Sequence, residues 1–386
     1  MQVLVVSGYD YMSSNANAVC LRSLITEMSR EEDVHIDVLG ESIFEKDQEC
    51  NSILSNIKKA SSRIIHWPSV EPNAIKIGQE YLKTRNLNQY DFIVIPHKPY
   101  EAFLATLHSM KNARSKARIL LYELDPMTNE IDQVMGLGRH LFFLSILKER
   151  MMYHRVDHVF HMECNREKYT AKRYQKFFKK FSYLDFPLLV ENRDAVASSE
   201  KHDAIRLIYS GTLDQKYRNP NNMLNVMEQL FQHQKEWHYN FDIFSKGNCE
   251  ETIATYSSRN CSFVQHGFVS PNVLNNYLAK SDFLISIGNA YSNMLPSKLI
   301  TYIATGIPII HFTSRHDDPC IEYLKKYRQA IVLYDTDSVD KNVNRLEEFI
   351  VGNTNIRVPF DLLSSLYIAN TPKWSSEQII TYMMNK

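Results

Sequence analysis

The sequence predicts an α/β protein made of two doubly wound domains that face each other across a cleft. Three observations support this. Short apolar runs alternate with segments of helical period along the whole chain, as in proteins built on parallel sheets. A length of 386 residues exceeds one typical core and fits two domains. Residues 191–203 are polar and aperiodic, which indicates a linker between domains at 1–190 and 204–369.

Six candidate strands occupy the first half of the chain. They cover residues 3–6, 35–39, 64–66, 92–96, 119–122 and 158–161. Between the first two strands, apolar residues recur near helical spacing from Ala18 to Met28. Ser13, Ser14 and Asn15 precede that pattern, and each is a residue type that caps helices.

A second series of six strands begins after the linker. It covers residues 206–209, 240–244, 262–266, 283–287, 309–312 and 331–334. The helix after the first of these opens at Asn219-Pro220 and carries Met223, Met227 and Leu230 on one face. The pattern of residues 374–384 predicts a final helix.

Charge and cysteine content narrow the class of protein. Lys plus Arg and Asp plus Glu both number 44, so no net field attracts nucleic acid, and we expect no nucleic-acid partner. The six cysteines form no C-x-x-C pair, which favours reduced thiols. The chain opens on a strand-like run, and no apolar stretch reaches the roughly 18–20 residues that span a bilayer. The sequence therefore predicts a cytoplasmic protein.

Residues 281–312 form the most informative segment. A buried strand leads through a polar loop ending in Pro296-Ser297-Lys298 to a helix closed near Gly306, and a second buried strand follows. Free N–H groups at a helix start attract anions, and Ser297 and Lys298 add a hydroxyl and a cation. This pattern favours binding of a phosphate group. The plainer alternative is helix punctuation, because proline suits the first helical position and serine suits a cap.

The same segment resembles the donor-binding motif P-S-K-L-x-x-Y-x-A-x-G-x-P of GT-B glycosyltransferases. The matching residues are Pro296, Ser297, Lys298, Leu299, Tyr302, Ala304, Gly306 and Pro308. The resemblance is to retaining enzymes of the bacterial polysaccharide or glycoconjugate type. It implies a GT-B fold of two Rossmann-like domains, the first binding the acceptor and the second the donor, with a final helix at about 370–386 packing back on the first. The implied activity is hexosyl transfer from a nucleotide-diphosphate sugar to an acceptor hydroxyl, without a metal or other cofactor.

The resemblance also implies a set of donor-binding residues. Gly211 and Thr212 follow the first strand of the second half, and the family places a basic residue several positions later on the diphosphate. Lys216 and Arg218 both qualify; the bidentate guanidinium favours Arg218, and a solvated loop is the alternative. Arg218 and Lys298 would neutralise the leaving diphosphate. The remaining donor candidates are His266, Gly267, Asn289, Pro296, Ser297 and Thr301. His266 also fits a buried histidine with a structural partner.

Acceptor contacts are implied in the first half. Tyr9, Ser14 and Asn15 lie in the first strand-to-helix loop, where the family places acceptor and donor-phosphate contacts. His97, Glu123 and Asp125 follow later strands, and a carboxylate there could orient or deprotonate an acceptor hydroxyl. We select Asp125 for that role. The acceptor would be a glycan, a lipid-linked molecule or a protein.

Several features leave alternatives open. The family's pair of glutamates is replaced by Asn293 and Thr301, which leaves room for a catalytically silent GT-B chain that binds a glycan or a partner transferase. A nucleotide-sugar epimerase of the same fold is a third possibility. The D-x-D sequence at 335–337 precedes a helix and is predicted to cap it rather than bind metal. The basic, aromatic run 166–180 is either a solvated helix face or a contact with the inner face of the cell membrane.

Overall fold

The computed structural model describes residues 1–13, 15–40, 72–96, 100–126, 142–191, 204–233, 237–260, 262–290 and 295–386. Of residues 142–145 only the backbone is described. These residues form two compact units. The first unit comprises Met1–Pro187 and Pro372–Lys386, and the second comprises Leu188–Thr371. The predicted strand at 64–66 lies outside the described residues.

The first unit is built on a six-stranded parallel sheet in the order β2-β1-β3-β4-β5-β6. Its strands are β1 (Gln2–Val6), β2 (His35–Leu39), β3 (Phe92–Pro96), β4 (Arg118–Glu123), β5 (His158–Met162) and β6 (Phe181–Leu184). Its helices are α1 (Ala16–Met28), α2 (Pro72–Lys83), α3 (Tyr100–Ala113), α4 (Phe142–Arg155) and α5 (Arg166–Tyr169), with 3-10 helices at Leu87–Gln89, Glu163–Asn165 and Lys172–Lys180.

The five predicted strands of the first half that fall within the described residues are confirmed as β1 to β5. The capping side chain of α1 is Asn15, whose Oδ1 accepts a hydrogen bond from the backbone N–H of Ala18 at 2.7 Å. Strand β6 was not predicted. It has four residues, and three of them are only half-buried, so it carries no apolar run that a pattern search would detect.

The second unit contains another six-stranded parallel sheet, in the order β12-β11-β10-β7-β8-β9. Its strands are β7 (Ala204–Leu213), β8 (His238–Gly247), β9 (Phe263–Gln265), β10 (Phe283–Ile287), β11 (Ile309–Thr313) and β12 (Ala330–Tyr334). Its helices are α6 (Asn221–His233), α7 (Glu250–Arg259), α8 (Pro271–Ala279), α9 (Lys298–Ala304), α10 (Cys320–Leu324), α11 (Val339–Asn353) and α12 (Phe360–Leu366), with a 3-10 helix at Ile368–Asn370.

All six predicted strands of the second half are confirmed. The apolar face of α6 is buried as its spacing predicts, and Met223, Met227 and Leu230 join a core that includes Leu207 and Phe241 on the strands. Strands β10 and β11 are buried along their whole length. Continuous burial is typical of central parallel strands, which are covered on both faces.

The last helix, α13 (Pro372–Met384), returns to the first unit. It packs against α1, with Ile379, Ile380 and Met383 buried. Within the ranges that the structure describes, no helix is long and apolar enough to cross a lipid bilayer.

The backbone beyond α9 turns at Gly306, which has φ +72°. A Cβ there would lie 2.2 Å from the carbonyl oxygen of Val358, while the Gly306 oxygen accepts a hydrogen bond from the Val358 N–H at 2.9 Å. Only glycine tolerates both the left-handed backbone and this contact. Steric constraints within the second unit therefore explain why this position of the donor-binding motif is a glycine.

We predict that Gly306→Ala destabilises the protein by about 1–3 kcal/mol, because it adds both a strained φ and a clash with backbone. The measurement is the free energy of unfolding by denaturant. Gly352→Ala is the matched control, since Gly352 lies exposed in α11 with no atom near its added Cβ. It should stabilise the helix by up to about 1 kcal/mol. Equal effects of the two substitutions would contradict the steric argument.

Candidate functional site

The carboxyl ends of β7 and β10 meet in the middle of the second sheet, where the two strands are neighbours. The chain leaves β7 into a turn at 214–218 and leaves β10 into a loop that leads to α9. The N–H of Ala290 donates to the carbonyl of Tyr217 at 2.8 Å, which ties the loop to the turn. In open α/β sheets, ligands bind at this edge. Residues 291–294 of the loop lie outside the described residues.

Tyr302 fixes α9 against the end of β7. The backbone N–H of Ser210 donates to the Tyr302 hydroxyl at 2.7 Å, and that hydroxyl donates to the Ser210 carbonyl at 3.2 Å. Tyr302 is almost fully buried, and this burial raises the pKa of its hydroxyl above the ordinary value. The tyrosine of the motif thus has a local structural role, because it satisfies two backbone groups of a neighbouring strand.

Lys298 lies one helical turn before Tyr302 and so on the same face of α9, about 6 Å away between Cβ atoms. Its ammonium makes no hydrogen bond or ion pair with any residue that the structure describes. Burial lowers the pKa of Lys298 below its ordinary value. A desolvated cation without a counter-ion favours the arrival of an anion.

Arg218 is held at the same edge by the turn. Asp214 and Arg218 exchange backbone hydrogen bonds of 3.1 and 2.9 Å. The guanidinium donates from Nη1 to the Thr212 carbonyl at 3.2 Å and from Nη2 to Asn289 Oδ1 at 2.8 Å. Arg218 therefore bridges the ends of β7 and β10. Its orientation is fixed before any ligand arrives.

Lys216 differs from Arg218 in this respect. It is exposed at the tip of the turn, where its N–H donates to Asp214 Oδ1 at 2.8 Å and its ammonium lies 5.2 Å from the ring centre of Tyr217. Its side chain is not tied to β10. Of the two sequence candidates, Arg218 is the one with a preorganised position.

Gly211 allows the close approach of these groups. A Cβ at this position would lie 3.2 Å from the Tyr209 hydroxyl and 3.8 Å from Arg218 Nη1. Burial raises the pKa of Tyr209 to about 12, with Arg218 acting in the opposite direction. The next residue, Thr212, is exposed at the strand end.

The start of α9 lacks the capping hydrogen bond that a serine before a helix usually makes. The helix has seven residues, and Ser297 before it has helical backbone angles and makes no capping hydrogen bond. Ser297 therefore occupies the N-cap position but does not make the side-chain hydrogen bond that the capping interpretation predicts. Pro296 instead accepts a hydrogen bond from the Leu299 N–H at 2.9 Å. Thr301 donates its hydroxyl to the Lys298 carbonyl at 2.7 Å, which leaves its oxygen lone pairs as acceptors.

A cavity of about 310 Å³ opens beside this edge. Its lining includes Lys216, Tyr217, Gly288, Ala290, Thr313 and Asp335. Burial raises the pKa of Asp335, whose carboxylate accepts a hydrogen bond from Asn222 at 2.6 Å. Asp337 instead pairs with Lys341 at 2.6 Å, so the two carboxylates of the D-x-D sequence have separate partners. The residue that caps α11 is Ser338, not an aspartate.

His266 and Gly267 follow β9, the outer strand of the sheet. His266 Nε2 lies 2.6 Å from Asp242 Oδ1, and its ring stacks on Phe244 with 4.4 Å between centroids. This geometry fits the alternative reading of a histidine with a structural partner. Gly267 has φ +69°, and no atom lies within 4 Å of the position of an added Cβ.

One group that the sequence analysis missed could ligate a metal ion. His311, Asp318 and Cys320 are buried, and their ligand atoms lie within 4.8 Å of one another. The Asp318 carboxylate already interacts with His311 Nε2 at 3.1 Å, the Thr313 hydroxyl at 2.8 Å and the Cys320 N–H at 2.9 Å. These hydrogen bonds explain the cluster without an ion. The spacing of the three residues matches no metal motif, so sequence gave no signal.

In the first unit, Tyr9 and Asp125 lie near each other beyond the ends of β1 and β4. Tyr9 is buried, and its hydroxyl has no hydrogen-bond partner within the described residues. Burial raises the pKa of Tyr9, and the charge of Asp125 adds to the effect. Asp125 is half-buried and accepts a hydrogen bond from Asn17 at 3.3 Å. Two other acceptor candidates, Ser14 and His97, lie outside the described residues.

Glu123 has a different environment from the one expected. It is fully buried, and its carboxylate accepts hydrogen bonds from the hydroxyls of Tyr153, at 2.9 Å, and Tyr169. His161 Nδ1 lies 3.3 Å from the same carboxylate. These contacts give Glu123 a structural role in the core of the first unit, in place of the expected acceptor contact. Asn15 is likewise engaged as the cap of α1.

The comparisons with known proteins concern the fold. No protein-family model matches the chain, and no curated protein matches it in sequence. Among solved structures, an apo lipopolysaccharide outer core galactosyltransferase matches with a TM-score of 0.56 and 11% identity, covering 100% of this chain and 99% of that one. A UDP-forming α,α-trehalose-phosphate synthase from Burkholderia vietnamiensis matches with a TM-score of 0.61 and 10% identity over the full length of both chains.

A UDP-N-acetylglucosamine 2-epimerase also matches, with a TM-score of 0.53 and 10% identity, covering 98% of this chain and 94% of that one. Together with the two parallel six-stranded sheets, these matches show that the chain has the GT-B fold of glycosyltransferases. The predicted fold class is thereby confirmed. At this level of identity the matches establish the fold and not the reaction.

We predict that Tyr302→Phe destabilises the second unit by about 1–3 kcal/mol, because it leaves the buried Ser210 N–H without an acceptor. Denaturant unfolding measures the change. Tyr239→Phe is the matched control: Tyr239 is also buried in the second unit, but its hydroxyl has no partner within the described residues. That substitution should be neutral or stabilising. A neutral Tyr302→Phe would show that α9 does not depend on this contact.

Proposed function

We propose that this protein is a nucleotide-sugar-dependent glycosyltransferase of hexosyl type. It would transfer a sugar from a nucleotide-diphosphate donor to an acceptor hydroxyl, with retention and without a metal cofactor, in polysaccharide or glycoconjugate synthesis. The GT-B fold supports the class of protein. The arrangement of cations at the carboxyl edge of the second sheet supports the reaction.

The observation that carries the proposal is the unbalanced positive charge at this edge. Lys298 is desolvated and has no counter-ion within the described residues, and Arg218 is held in place by Asn289 and Thr212. Cleaving the sugar–phosphate bond leaves negative charge on the diphosphate. Two cations fixed before the reaction stabilise that charge at little reorganisation cost. They would neutralise the negative charge that a metal ion neutralises in other transferases.

The rest of the donor would extend from the diphosphate along the same edge. The acceptor oxygen of Thr301 suits a ribose hydroxyl, although it is a weaker acceptor than a carboxylate. The turn at His266 and Gly267 would contact the base through backbone groups. Gly211 keeps the space beside Arg218 open for the phosphates.

The acceptor would be a glycan, a lipid-linked molecule or a protein, bound by the first unit. Of the two candidate carboxylates, Asp125 is half-buried and Glu123 is fully buried, so Asp125 is the one that an acceptor could reach. In our proposal Asp125 orients or deprotonates the acceptor hydroxyl, and the buried Tyr9 lies beside it.

We further propose a cytoplasmic enzyme with peripheral contact at the inner face of the cell membrane. The 3-10 helix Lys172–Lys180 leaves Phe178 exposed among lysines. It lies beside α4, where Leu147 and Met151 are exposed, and Lys176 Nζ lies 2.7 Å from His154 Nε2. Basic groups around exposed apolar side chains suit an anionic lipid surface.

A transferase, an epimerase and a catalytically silent chain give different outcomes in one experiment. The purified protein is titrated with UDP-, GDP- and dTDP-sugars and then assayed for donor hydrolysis and for conversion of the sugar. Binding with release of nucleotide diphosphate supports a transferase. Conversion of the sugar without release supports an epimerase. Failure to bind any donor supports a silent chain that acts as a glycan-binding or partner-transferase subunit.

We predict that Lys298→Met lowers kcat/KM with the best donor by about 10²–10³-fold, or roughly 3–4 kcal/mol, by removing one preorganised cation. The free energy of unfolding should stay the same or rise, because a desolvated ammonium is removed. Lys280→Met, which changes an exposed lysine of the same unit, is the control and should retain full activity. Unchanged activity of Lys298→Met would overturn the proposed site.

Nucleotide diphosphate binding should weaken as pH rises through the lowered pKa of Lys298. Above that pKa the free amine is neutral, so binding must recruit a proton to restore the charge. Calorimetric titration with UDP in buffers of different ionisation enthalpy measures both the affinity and the proton uptake. Lys298→Arg keeps its charge and should abolish both effects in that pH range. Proton uptake that persists in Lys298→Arg would assign it to another group.

A further inference from the structure

A second concave surface lies in the first unit, at the sheet edge opposite Tyr9 and Asp125. It is a groove of about 890 Å³ at the amino ends of β1, β3 and β4. Its lining includes Tyr90, Phe92, Arg114, Lys116, Arg118 and Lys386. The usual ligand site of an open α/β sheet lies at its carboxyl edge, so the proposed transfer reaction makes no use of this groove.

The charge of the groove is strongly one-sided. Chain-terminal groups aside, its lining carries four basic side chains and one carboxylate, Asp91. That carboxylate already accepts a hydrogen bond from the Gln2 N–H at 2.8 Å. Within the described part of the chain, Arg114, Lys116 and Arg118 form no ion pair. The protein as a whole has equal numbers of acidic and basic residues, so this excess is local.

Interaction with a helix dipole explains the position of one of these basic residues but not of the others. Arg114 follows the end of α3, where a cation interacts favourably with the helix dipole. Lys116 and Arg118 lie beyond the last turn, where that effect has faded. Lys386 comes from the end of the chain, and its ammonium lies 5.7 Å from the ring centre of Tyr382. Cations from separate segments therefore converge on one groove.

Arg114 occupies a backbone position that favours glycine. Its φ is +53°, and the Ser115 N–H donates to the Met110 carbonyl at 2.9 Å, which is the hydrogen bond of a glycine-type helix end. A long cationic side chain occupies this position despite the strain of the left-handed backbone. The position also allows a clean experiment, since glycine should remove the charge without loss of stability.

We infer that this groove binds a multiply charged ligand through its phosphate groups. Two guanidinium groups suit bidentate contact with phosphate oxygens, and the two ammonium groups add charge. The volume lies in the range of small-molecule sites. The phosphates belong either to a soluble oligophosphate or nucleotide, or to the headgroup of an anionic lipid. The inference does not depend on the proposed transferase activity.

The test uses the full chain labelled with ¹³C in the methionine methyl groups and titrated with inorganic tripolyphosphate. Met383 lines the groove, whereas Met223 lines the cavity of the second unit, so the two signals report on separate sites. We expect a saturable shift of the Met383 signal. The double variant Arg114→Gly with Lys116→Gln should weaken that response by at least about tenfold, through the loss of two charge-assisted contacts.

Two controls accompany the double variant. Its melting temperature should equal or exceed that of the wild type, because glycine relieves the strained backbone at position 114. Lys111→Gln changes an exposed lysine of α3 outside the groove and should leave the Met383 response unchanged. The Met223 signal should respond equally in all three proteins.

A second arm identifies the source of the phosphate. Co-sedimentation with phosphatidylglycerol vesicles that is lost in the double variant assigns the groove to a lipid headgroup. A Met383 response to tripolyphosphate without such sedimentation assigns it to a soluble phosphate. The inference is overturned if the double variant matches the wild type both in its Met383 response to tripolyphosphate and in its co-sedimentation with vesicles.

Discussion

The second unit depends on a contact between one tyrosine and the backbone of one strand residue. Tyr302 satisfies both the N–H and the carbonyl of Ser210 at the end of β7. This fixes the rotation of α9, and so it decides that Lys298, one turn earlier, lies on the face toward the strand ends. Without it, a seven-residue helix has little of its own to hold it in register.

Polar contacts from the loops also order the carboxyl edge of the second sheet. Arg218 reaches the Thr212 carbonyl and the Asn289 side chain, so it joins two neighbouring strand ends. Lys298 receives no such partner from the described residues. One cation is therefore oriented and the other is left uncompensated. In the proposed function, this combination would stabilise a bound diphosphate through charges that are in place before it arrives.

The first unit uses buried polar groups in a different way. Glu123 and Glu149 are both fully buried and receive hydrogen bonds from tyrosines of the surrounding elements, among them Tyr153 and Tyr174. A satisfied network of this kind rigidifies the core, because each group would be costly to leave unpaired. It withdraws Glu123 from solvent. Asp125, two residues later, is only half-buried.

The sequence by itself determined the alternation of strands and helices, the buried face of α6 and the turn at Gly306. Each depends on local periodicity or local backbone sterics. Strand β6 was not predicted because it is short and only half-buried. Tertiary structure alone decided the burial of Glu123 and the fixed position of Arg218. These depend on partners far apart in sequence, as Arg218 and Asn289 are, and no local pattern encodes such pairs.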